Sequence, residues 1–465
     1  AASSEVRPGD LFAALPGRTG HGAAFVPAAL EAGAVAVLTD EAGWGQIPAG
    51  VPGVAVASVR EVLGEVAAEV YGHPAAAMRM LGVTGTSGKT TTTFLIRAGL
   101  RAAGRVPGLI GTVATMIGED EVKTGFTTPE APEVQALLAV MRERGVTDVA
   151  MEVSSHALAM HRVDGIRYDV GAFLNLSEDH LDFHADMEDY FAAKATLFAG
   201  GRSARAVIVV DDRWGERLTE QIELPVETVT TIGERRASWE AVDVSEEPGG
   251  STSFRVLGPD VELKTGCAIP GRYNVANAVT ALAVLHAAGV ELDVAAPAVA
   301  TASVPGRMER VGAGQPYLAV VDYSHKPAAV AGALAALRPL TRGRLIIVLG
   351  CGGDRDRGKR PHMGELAARG ADLLVVTDDN PRSEDPAAIR RAMLDGALAV
   401  PPGERGEVIE VAGRADAIAA AVAAAGAGDT VLVAGKGHET GQEIAGVVHP
   451  FDDRLVLRAA IEDRA

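Results

Sequence analysis

Cysteine, aromatic residues, long apolar runs and positive charge are all scarce in this 465-residue chain. Only Cys267 and Cys351 are present, far apart in sequence, which excludes a disulfide framework and predicts two inert, buried thiols in a reducing compartment. Aromatics make up 4% while Ala and Gly abound, a balance that suits close helix-on-sheet packing rather than an all-β fold. No apolar stretch reaches the roughly 18 residues of a membrane helix, so no membrane insertion is expected. Lys and Arg number 43 against 61 Asp and Glu, leaving a formal charge of −18. That balance provides no diffuse basic field to attract a nucleic acid or an anionic membrane, although a local basic pocket for a phosphorylated metabolite stays open. With neither an initial methionine nor a signal-peptide pattern, the chain reads as a trimmed, soluble, cytoplasmic protein.

What is present is an alternation of short β-rich runs with Ala/Leu-rich helical stretches, the pattern of an α/β fold. The length calls for two or three domains. The first block, to about Pro74, carries strand candidates "AVAVLTD" and "VPGVAVAS" and a helix "VREVLGEVAAEVYG", and "HPAAAM" reads as a linker. A second block opens with a strand, a Gly/Ser/Thr loop and a helix in "RMLGVTGTSGKTTTTFLIRAGLRAAG", and "SEEPGGSTSFRVLG" resembles a hairpin insertion. A third block from about "SVPGRMERV" supplies "YLAVVDYS", "GRLIIVLGCGGD", "ADLLVVTDDN" and "DTVLVAGKG", each followed by helix-like sequence. Strands ending in Gly, Asp or Asn suggest a doubly wound sheet, whose ligands gather at the carboxyl ends of the strands.

"GTSGKTT" (Gly85 to Thr91) lies between an apparent strand and an apparent helix, the context of a phosphate loop. Its glycines let main-chain N–H groups approach phosphates, and the helix N-terminus adds favourable partial charge. Lys89 would neutralise the β/γ-phosphates and Thr90 would offer a hydroxyl to Mg²⁺. Val83 stands where the longer spacing has its first glycine, so the shorter G-x-x-G-K-T form is present. A generic P-loop ATPase remains a competing reading, whereas a switch GTPase is disfavoured because no N-K-x-D sequence occurs.

Downstream, "MEVSSHAL" sets Glu152, Ser154, Ser155 and His156 at one strand end, and "NLSEDHLDFH" sets Asp179, His180, Asp182 and His184 at the next. Carboxylates suit Mg²⁺, and a histidine can complete an oxygen shell. One histidine alone would read as a hydrogen-bonded structural residue; two acid/His clusters beside a phosphate loop favour a metal site. Lys194 follows on an apparent helix, where an ammonium would be repelled by metal ions unless converted to an anion. Further on, "DDNPR" (Asp378 to Arg382) could merely solvate a loop, or could hold a ligand carrying both a positive and a negative group.

Together these segments resemble the Mur ligase family, the ATP-dependent amide-bond formers of peptidoglycan precursor synthesis. The resemblance covers nearly the whole chain, through "PGDLFAALPG", "TGTSGKTTT", "MEVSSHAL", "NLSEDHLDFH", "YFAAKATLF", "GRYNVANAVTAL", "PGRMERV", "VDYSHKP", "GCGGDRDRGKRPHMG", "DDNPR" and "AGKGHE" in order. It implies three α/β domains: a smaller UDP-binding domain at 1–76, a central P-loop ATPase domain at 77–304, and a Rossmann-like amino-acid-binding domain at 305–465. It further implies ATP contacts at Gly85, Thr86, Ser87, Gly88, Lys89, Thr90, Thr91, Asn277, Arg307, Asp322 and His325. Two Mg²⁺ sites would draw on Thr90, Glu152, His180 and Lys194, with Lys194 carrying a CO₂-derived carbamate. Lys89, Lys194, His180 and Glu152 would be the catalytic set. Contacts to the UDP-sugar-peptide are implied at Thr127, Thr128, Ser154 and Arg162. The amino terminus lacks the usual Asp-Ser-Arg and offers Ser3 in its place. Ser87 replaces a common Asn, and Ser324, Lys326 and Ala328 depart from the usual Ala, Thr and acid.

The branch resembled most is the one that adds the third peptide residue. Its chemistry would pass the ATP γ-phosphoryl to the γ-carboxylate of UDP-MurNAc-L-Ala-D-Glu, giving an acyl phosphate that an amine attacks. The amine is read from "DDNPR": Arg382 can fork onto a carboxylate, and Asp379 and Asn380 can accept from an ammonium. meso-Diaminopimelate ends in both groups, whereas L-lysine, the alternative, ends in an ammonium alone. Arg355, Gly435 and Glu439 match the remaining amino-acid contacts. A monomer is expected, with hinges near Pro74 and "SVPG" closing over the substrates.

Overall fold

The computed structural model describes residues 3–17, 20–122, 127–233, 236–247 and 250–464. Two compact units account for the chain: one formed by 1–230, 235–238 and 280–295, the other by 231–234, 239–279 and 296–465.

The first unit begins with a three-stranded parallel sheet, Leu11–Ala13, Ala36–Asp40 and Gly53–Val56. Phe12, Val26, Ala29 and Val37 pack its small core. The helix Val59–Val70 buries Val59, Leu63, Ala67 and Ala68, and Ser58 caps it by accepting from the Glu61 N–H. This N-cap satisfies a main-chain donor that the first turn leaves without an intrahelical partner.

The same unit contains a larger sheet in the order Val226–Thr230, Ala206–Val209, Val170–Phe173, Arg79–Thr84, Asp148–Glu152, Pro107–Ile110, Thr115–Ile117, Asp120–Val122. The first six are parallel and the last two turn back antiparallel. The inner strands read as continuous apolar runs because helices cover both faces, and Met80, Val149, Met151, Phe173 and Ile208 fill the core. Successive strands fall on opposite sides of Arg79–Thr84. The carboxyl ends of Arg79–Thr84, Asp148–Glu152 and Val170–Phe173 therefore open side by side at a point where strand order reverses.

The second unit holds an antiparallel ribbon, Trp239–Glu246, Thr252–Gly258 and Val261–Cys267, which includes the expected hairpin. Its main sheet runs Glu309–Arg310, Leu318–Asp322, Thr430–Ala434, Leu345–Leu349, Leu373–Val376, Glu407–Glu410, parallel except for the first pair. Ala319, Val321, Ile346, Val348, Val375 and Val433 form the core. The short hairpin Gly441–Ile444/Val447–Pro450 follows the last parallel strand. Both cysteines are buried and unpaired; burial pushes Cys267 up to about 11 and Cys351 up to about 12, as expected of inert thiols. Among the described residues no helix is long and apolar enough to cross a membrane.

Candidate active site

Strand Arg79–Thr84 delivers the chain into Gly85–Gly88, and the helix Lys89–Ala102 starts at once. Gly88 takes φ +90 at the helix N-cap, a left-handed conformation that a side chain would strain. Asn175, past the neighbouring strand, fixes the loop from outside. Its Oδ1 accepts from the Ser87 N–H at 3.0 Å and its Nδ2 donates to the Ser87 carbonyl at 3.1 Å. Its main-chain carbonyl takes the Thr86 N–H at 3.0 Å. The Thr86 hydroxyl meets the Tyr190 hydroxyl at 3.2 Å. Ser87 thus sits in a loop whose shape is set by a partner 88 residues away.

Lys89 Nζ donates to the carbonyls of Gly85 at 2.9 Å and Thr86 at 3.0 Å. Lys194, on the helix Met187–Ala195 and fully buried, donates to the same Gly85 carbonyl at 2.8 Å. Two ammonium groups on one oxygen can be no farther apart than the sum of those distances. At an effective dielectric of about 20, two unit charges so placed repel by roughly 3 kcal/mol. An anionic carbamate on Lys194 would turn that repulsion into attraction.

The buried Glu152 ends its strand beside the loop. Its Oε1 accepts from the Thr90 hydroxyl at 2.9 Å and from the Thr112 N–H at 2.8 Å, and its Oε2 from the Thr112 hydroxyl at 3.1 Å. Ligands at 2.0–2.1 Å in an octahedral Mg²⁺ shell lie about 2.9 Å apart when adjacent. The Thr90 and Glu152 oxygens already have that separation, so this pair fits a magnesium ion. Thr91, in the same helical turn, is buried.

His180 takes φ +55, with Nε2 3.2 Å from Asp179 Oδ2. Its ring meets His156 edge-on at 4.8 Å and Tyr190 edge-on at 6.0 Å, and Lys194 Nζ lies 4.7 Å over the Tyr190 ring. Burial, with His184 alongside, lowers the His156 pKa below its ordinary value. Among the described residues no group of three His, Cys, Asp or Glu side chains gathers around one point. Glu152 is the one carboxylate in the set Thr90, Glu152, His180 and Lys194, and a carbamate on Lys194 would add a second anionic donor.

Thr127, Thr128, Ser154 and Arg162 are brought together. Thr128 donates through its hydroxyl to the Glu152 carbonyl at 2.9 Å, and Arg162 donates to the Thr128 carbonyl at 3.3 Å. Thr112 Oγ1 reaches Thr127 Oγ1 at 3.0 Å, and Ser154 caps a short helix. Arg162 also pairs with Glu130 at 2.9 Å. Ser3 belongs to a short 3-10 turn, Ser3–Glu5, in the amino-terminal lobe and joins none of these contacts.

In the second unit Asp322 ends its strand and accepts from the Met308 N–H at 2.8 Å and the Ser324 N–H at 2.9 Å. Arg307 stacks 4.1 Å over Tyr323, whose ring also meets His325. Burial drives His325 down to about 4, so its imidazole is neutral at physiological pH. Asn277 is buried and donates to Asn274 Oδ1 at 2.9 Å.

The "DDNPR" loop leaves strand Leu373–Val376 beside the turn after Ala434. A Cβ on Gly435, at φ +117, would stand 2.5 Å from Asp379 Oδ2, so only glycine lets the two segments approach. The fully buried Lys436 donates to Asn380 Oδ1 at 3.0 Å and to Glu439 Oε2 at 2.8 Å. Asn380 Nδ2 donates to Glu439 as well, at 2.9 Å. The Glu443 N–H takes the other lone pair of Asn380 Oδ1 at 3.0 Å, so Asn380 faces its surroundings through N–H rather than oxygen. Arg382, at φ +53, donates from Nη1 to the Gly353 carbonyl at 2.7 Å. Arg355 is exposed on the adjoining loop.

Sequence reading missed Thr112, Asn175 and Lys436. The lysine of "AGKGHE" could have been found, since a charged residue directly after an apolar strand must be paired when buried.

Comparison with known proteins gives three consecutive matches: Mur ligase family, catalytic domain, at residues 1–71; Mur ligase middle domain at 83–285; and Mur ligase, glutamate ligase domain, at 306–437. The chain is 57% identical to a UDP-N-acetylmuramoyl-L-alanyl-D-glutamate--2,6-diaminopimelate ligase of Streptomyces avermitilis, over 99% of this chain and 91% of that one. A ligase of the same name from Corynebacterium glutamicum is 50% identical over 98% and 89%. A solved structure of that name aligns with TM-score 0.72 at 32% identity, covering 99% of this chain and 94% of the other.

Proposed function

The chain belongs to the Mur ligase family, and on that premise we propose that it joins meso-diaminopimelate to UDP-MurNAc-L-Ala-D-Glu at the expense of ATP. Its three α/β domains are assigned to 1–76, 77–304 and 305–465, for the UDP-sugar-peptide, ATP and the amino acid. The observation that carries the choice of amine is Arg382, set at a strand end beside the Asn380–Lys436–Glu439 network. A guanidinium has no task with lysine, whose side chain ends in an ammonium alone. It forks onto the second carboxylate of diaminopimelate. Glu439 and Asp379 accept from the neighbouring ammonium, while Gly435 admits the close approach and Arg355 adds charge from the loop.

The γ-carboxylate of D-Glu attacks the γ-phosphorus of ATP; ADP leaves and an acyl phosphate forms. Both reactants are anions, and Lys89 offsets their repulsion from within the phosphate loop. Thr90, Glu152, His180 and a carbamylated Lys194 would hold Mg²⁺, which supplies charge neutralisation for the phosphates. Carbamylation would deprotonate the Lys194 ammonium and join its nitrogen to CO₂, releasing two protons in all and changing the charge from +1 to −1. Thr127, Thr128, Ser154 and Arg162 hold the sugar-peptide, with Ser3 at the uridine end. Asn277, Arg307, Asp322 and His325 surround the nucleotide. The neutral amine of diaminopimelate then attacks the acyl carbon, and the tetrahedral intermediate collapses to amide and phosphate. Both ATP and a UDP-sugar are cytoplasmic metabolites, which assigns the protein to that compartment.

Phosphate release with ATP, Mg²⁺ and UDP-MurNAc-L-Ala-D-Glu tests the reading when diaminopimelate, lysine or no amino acid is added. Release that requires diaminopimelate and the sugar-peptide is expected. Release indifferent to both would leave only an ATPase.

A further inference from the structure

The amino-acid loop carries a contact that the reaction as described leaves unused. Glu443 is clamped to the loop by its main chain: its N–H donates to Asn380 Oδ1 at 3.0 Å, and its carbonyl accepts from the Arg382 N–H at 3.0 Å. The Arg382 carbonyl in turn accepts from the Ala445 N–H at 2.7 Å, so the hairpin is stitched to the loop on both sides of Arg382. With its backbone fixed, Glu443 keeps freedom only in its side chain, which is 39% exposed. The Oε2 of that side chain lies 3.3 Å from Arg382 Nε.

A guanidinium can fork a carboxylate on its end face, through Nη1 and Nη2, or on its side face, through Nε and Nη2. The protein itself takes up one donor of the end face with a hydrogen bond and sets a carboxylate as an ion pair against the side face. Nη1 serves the Gly353 carbonyl, a main-chain group with little freedom to leave. Nε lies 3.3 Å from the Glu443 carboxylate in an ion pair, and Glu443 is a half-exposed side chain that can swing into water. A ligand carboxylate therefore gains a full fork on the side face only when Glu443 moves out.

We propose that Glu443 is an internal stand-in for the distal carboxylate of the amino acid, pairing with Arg382 in the free protein and giving way when diaminopimelate binds. The proposal rests on the diaminopimelate reading above. Glu443 competes with the ligand and so weakens its binding. It also keeps Arg382 neutralised and aimed, which prevents a bare cation from facing an ammonium-ended amino acid. Glu443 is thus a positioning residue that acts through Arg382.

Steady-state phosphate release by the full chain tests this. Glu443→Gln is expected to lower KM for diaminopimelate about two- to five-fold, the value of a half-exposed ion pair, without moving KM for ATP. Use of lysine should fall, because the uncovered guanidinium repels its ammonium. Glu443→Asp, whose carboxylate is one methylene shorter, should lie between the two, and thermal melts verify that both variants fold. In an Arg382→Ala background the Glu443→Gln effect on KM should vanish. A parent enzyme that uses diaminopimelate, with a Glu443→Gln variant whose KM is unchanged or raised, overturns this proposal alone. So does a fall in KM that persists without Arg382. A parent with no diaminopimelate-dependent release overturns the functional reading, and this proposal with it.

Discussion

Replacing Arg382 removes one side chain from a backbone held at φ +53 and stitched to the hairpin. The substitution should therefore act on the ligand and not on the fold. Side-chain exposure is 23%, so the guanidinium works in a partly desolvated setting where a charge-assisted fork counts for more than on an open surface. Losing that fork should cost about 2–4 kcal/mol in transition-state binding. This corresponds to a fall of about 30- to 900-fold in kcat/KM for diaminopimelate. Within the protein the Gly353 tether, the half-exposed Glu443 pair and a charge interaction with Asp354 are lost with it. Arg382→Lys keeps charge without the fork and should lie between Ala and the parent. Arg382→Gly separates ligand binding from backbone strain. Glycine accepts positive φ where alanine is strained by about 1 kcal/mol, so Gly should melt no lower than Ala yet be equally poor with diaminopimelate. KM for ATP should stay put in all three. The assay is phosphate release at saturating ATP and sugar-peptide with diaminopimelate varied. A kcat/KM within about threefold of the parent in both Ala and Gly variants would match a rim contact and refute the assignment.

Three further outcomes follow from the same geometry. Lys194→Arg keeps a cation but cannot form the carbamate, and should lose at least about 100-fold in kcat; a carbamate carbon should appear by NMR in protein exposed to labelled CO₂, and full activity in CO₂-free buffer without that signal would refute the modification. Thr112→Val removes hydroxyl contacts to Glu152 and Thr127 but keeps the main-chain bond to Glu152, so it should cost about 1 kcal/mol and raise the Mg²⁺ concentration needed for half-maximal activity. His325 has a folded pKa depressed by burial to about 4, below the unfolded value near 6.5. Its contribution to stability is full above about pH 6.5 and is lost as pH falls towards 4, on the order of 3 kcal/mol, so chemical unfolding of His325→Gln should show a shallower pH dependence across that window.

Local spacing made the phosphate loop legible, because strand, glycines, lysine and helix follow one another within a few residues. The "DDNPR" loop was legible for a related reason: charged groups directly after an apolar strand have to stand at the open end of a sheet. The sequence could not show the partners that aim these groups. Asn175 meets Ser87 across 88 residues, Thr112 meets Glu152 across 40, and Lys436 meets Asn380 across 56. Each pairing depends on which strands become neighbours. Strand order is a property of the whole sheet, where Asp148–Glu152 and Val170–Phe173 flank Arg79–Thr84 although Pro107–Ile110 comes sooner in sequence. Residue type suggested that Asn380 would accept from a ligand; its oxygen is instead engaged by Lys436 and Glu443, a detail fixed by the Gly435 turn and the hairpin.

Net charge poses a last problem, since a chain at −18 has to bind ATP and a nucleotide-sugar, both strongly anionic. Screening at physiological salt confines unpaired surface charge to about 8 Å, so what matters is the sign of the groups within that radius of each ligand. Around the phosphate loop the positive groups include Lys89 and Lys194, converging on a single carbonyl, with the glycine-loop N–H groups and the start of a helix beside them. Two adjacent cations favour a polyphosphate but oppose a divalent metal. Glu152, whose oxygens accept from Thr90 and Thr112, brings a single negative charge against the two. The proposed carbamate on Lys194 would resolve the conflict at one position: Lys89 would keep the cation that phosphate needs, and Lys194 would become an anion that metal needs. With Lys194 unmodified, the protein should bind ATP without Mg²⁺ better than ATP with it.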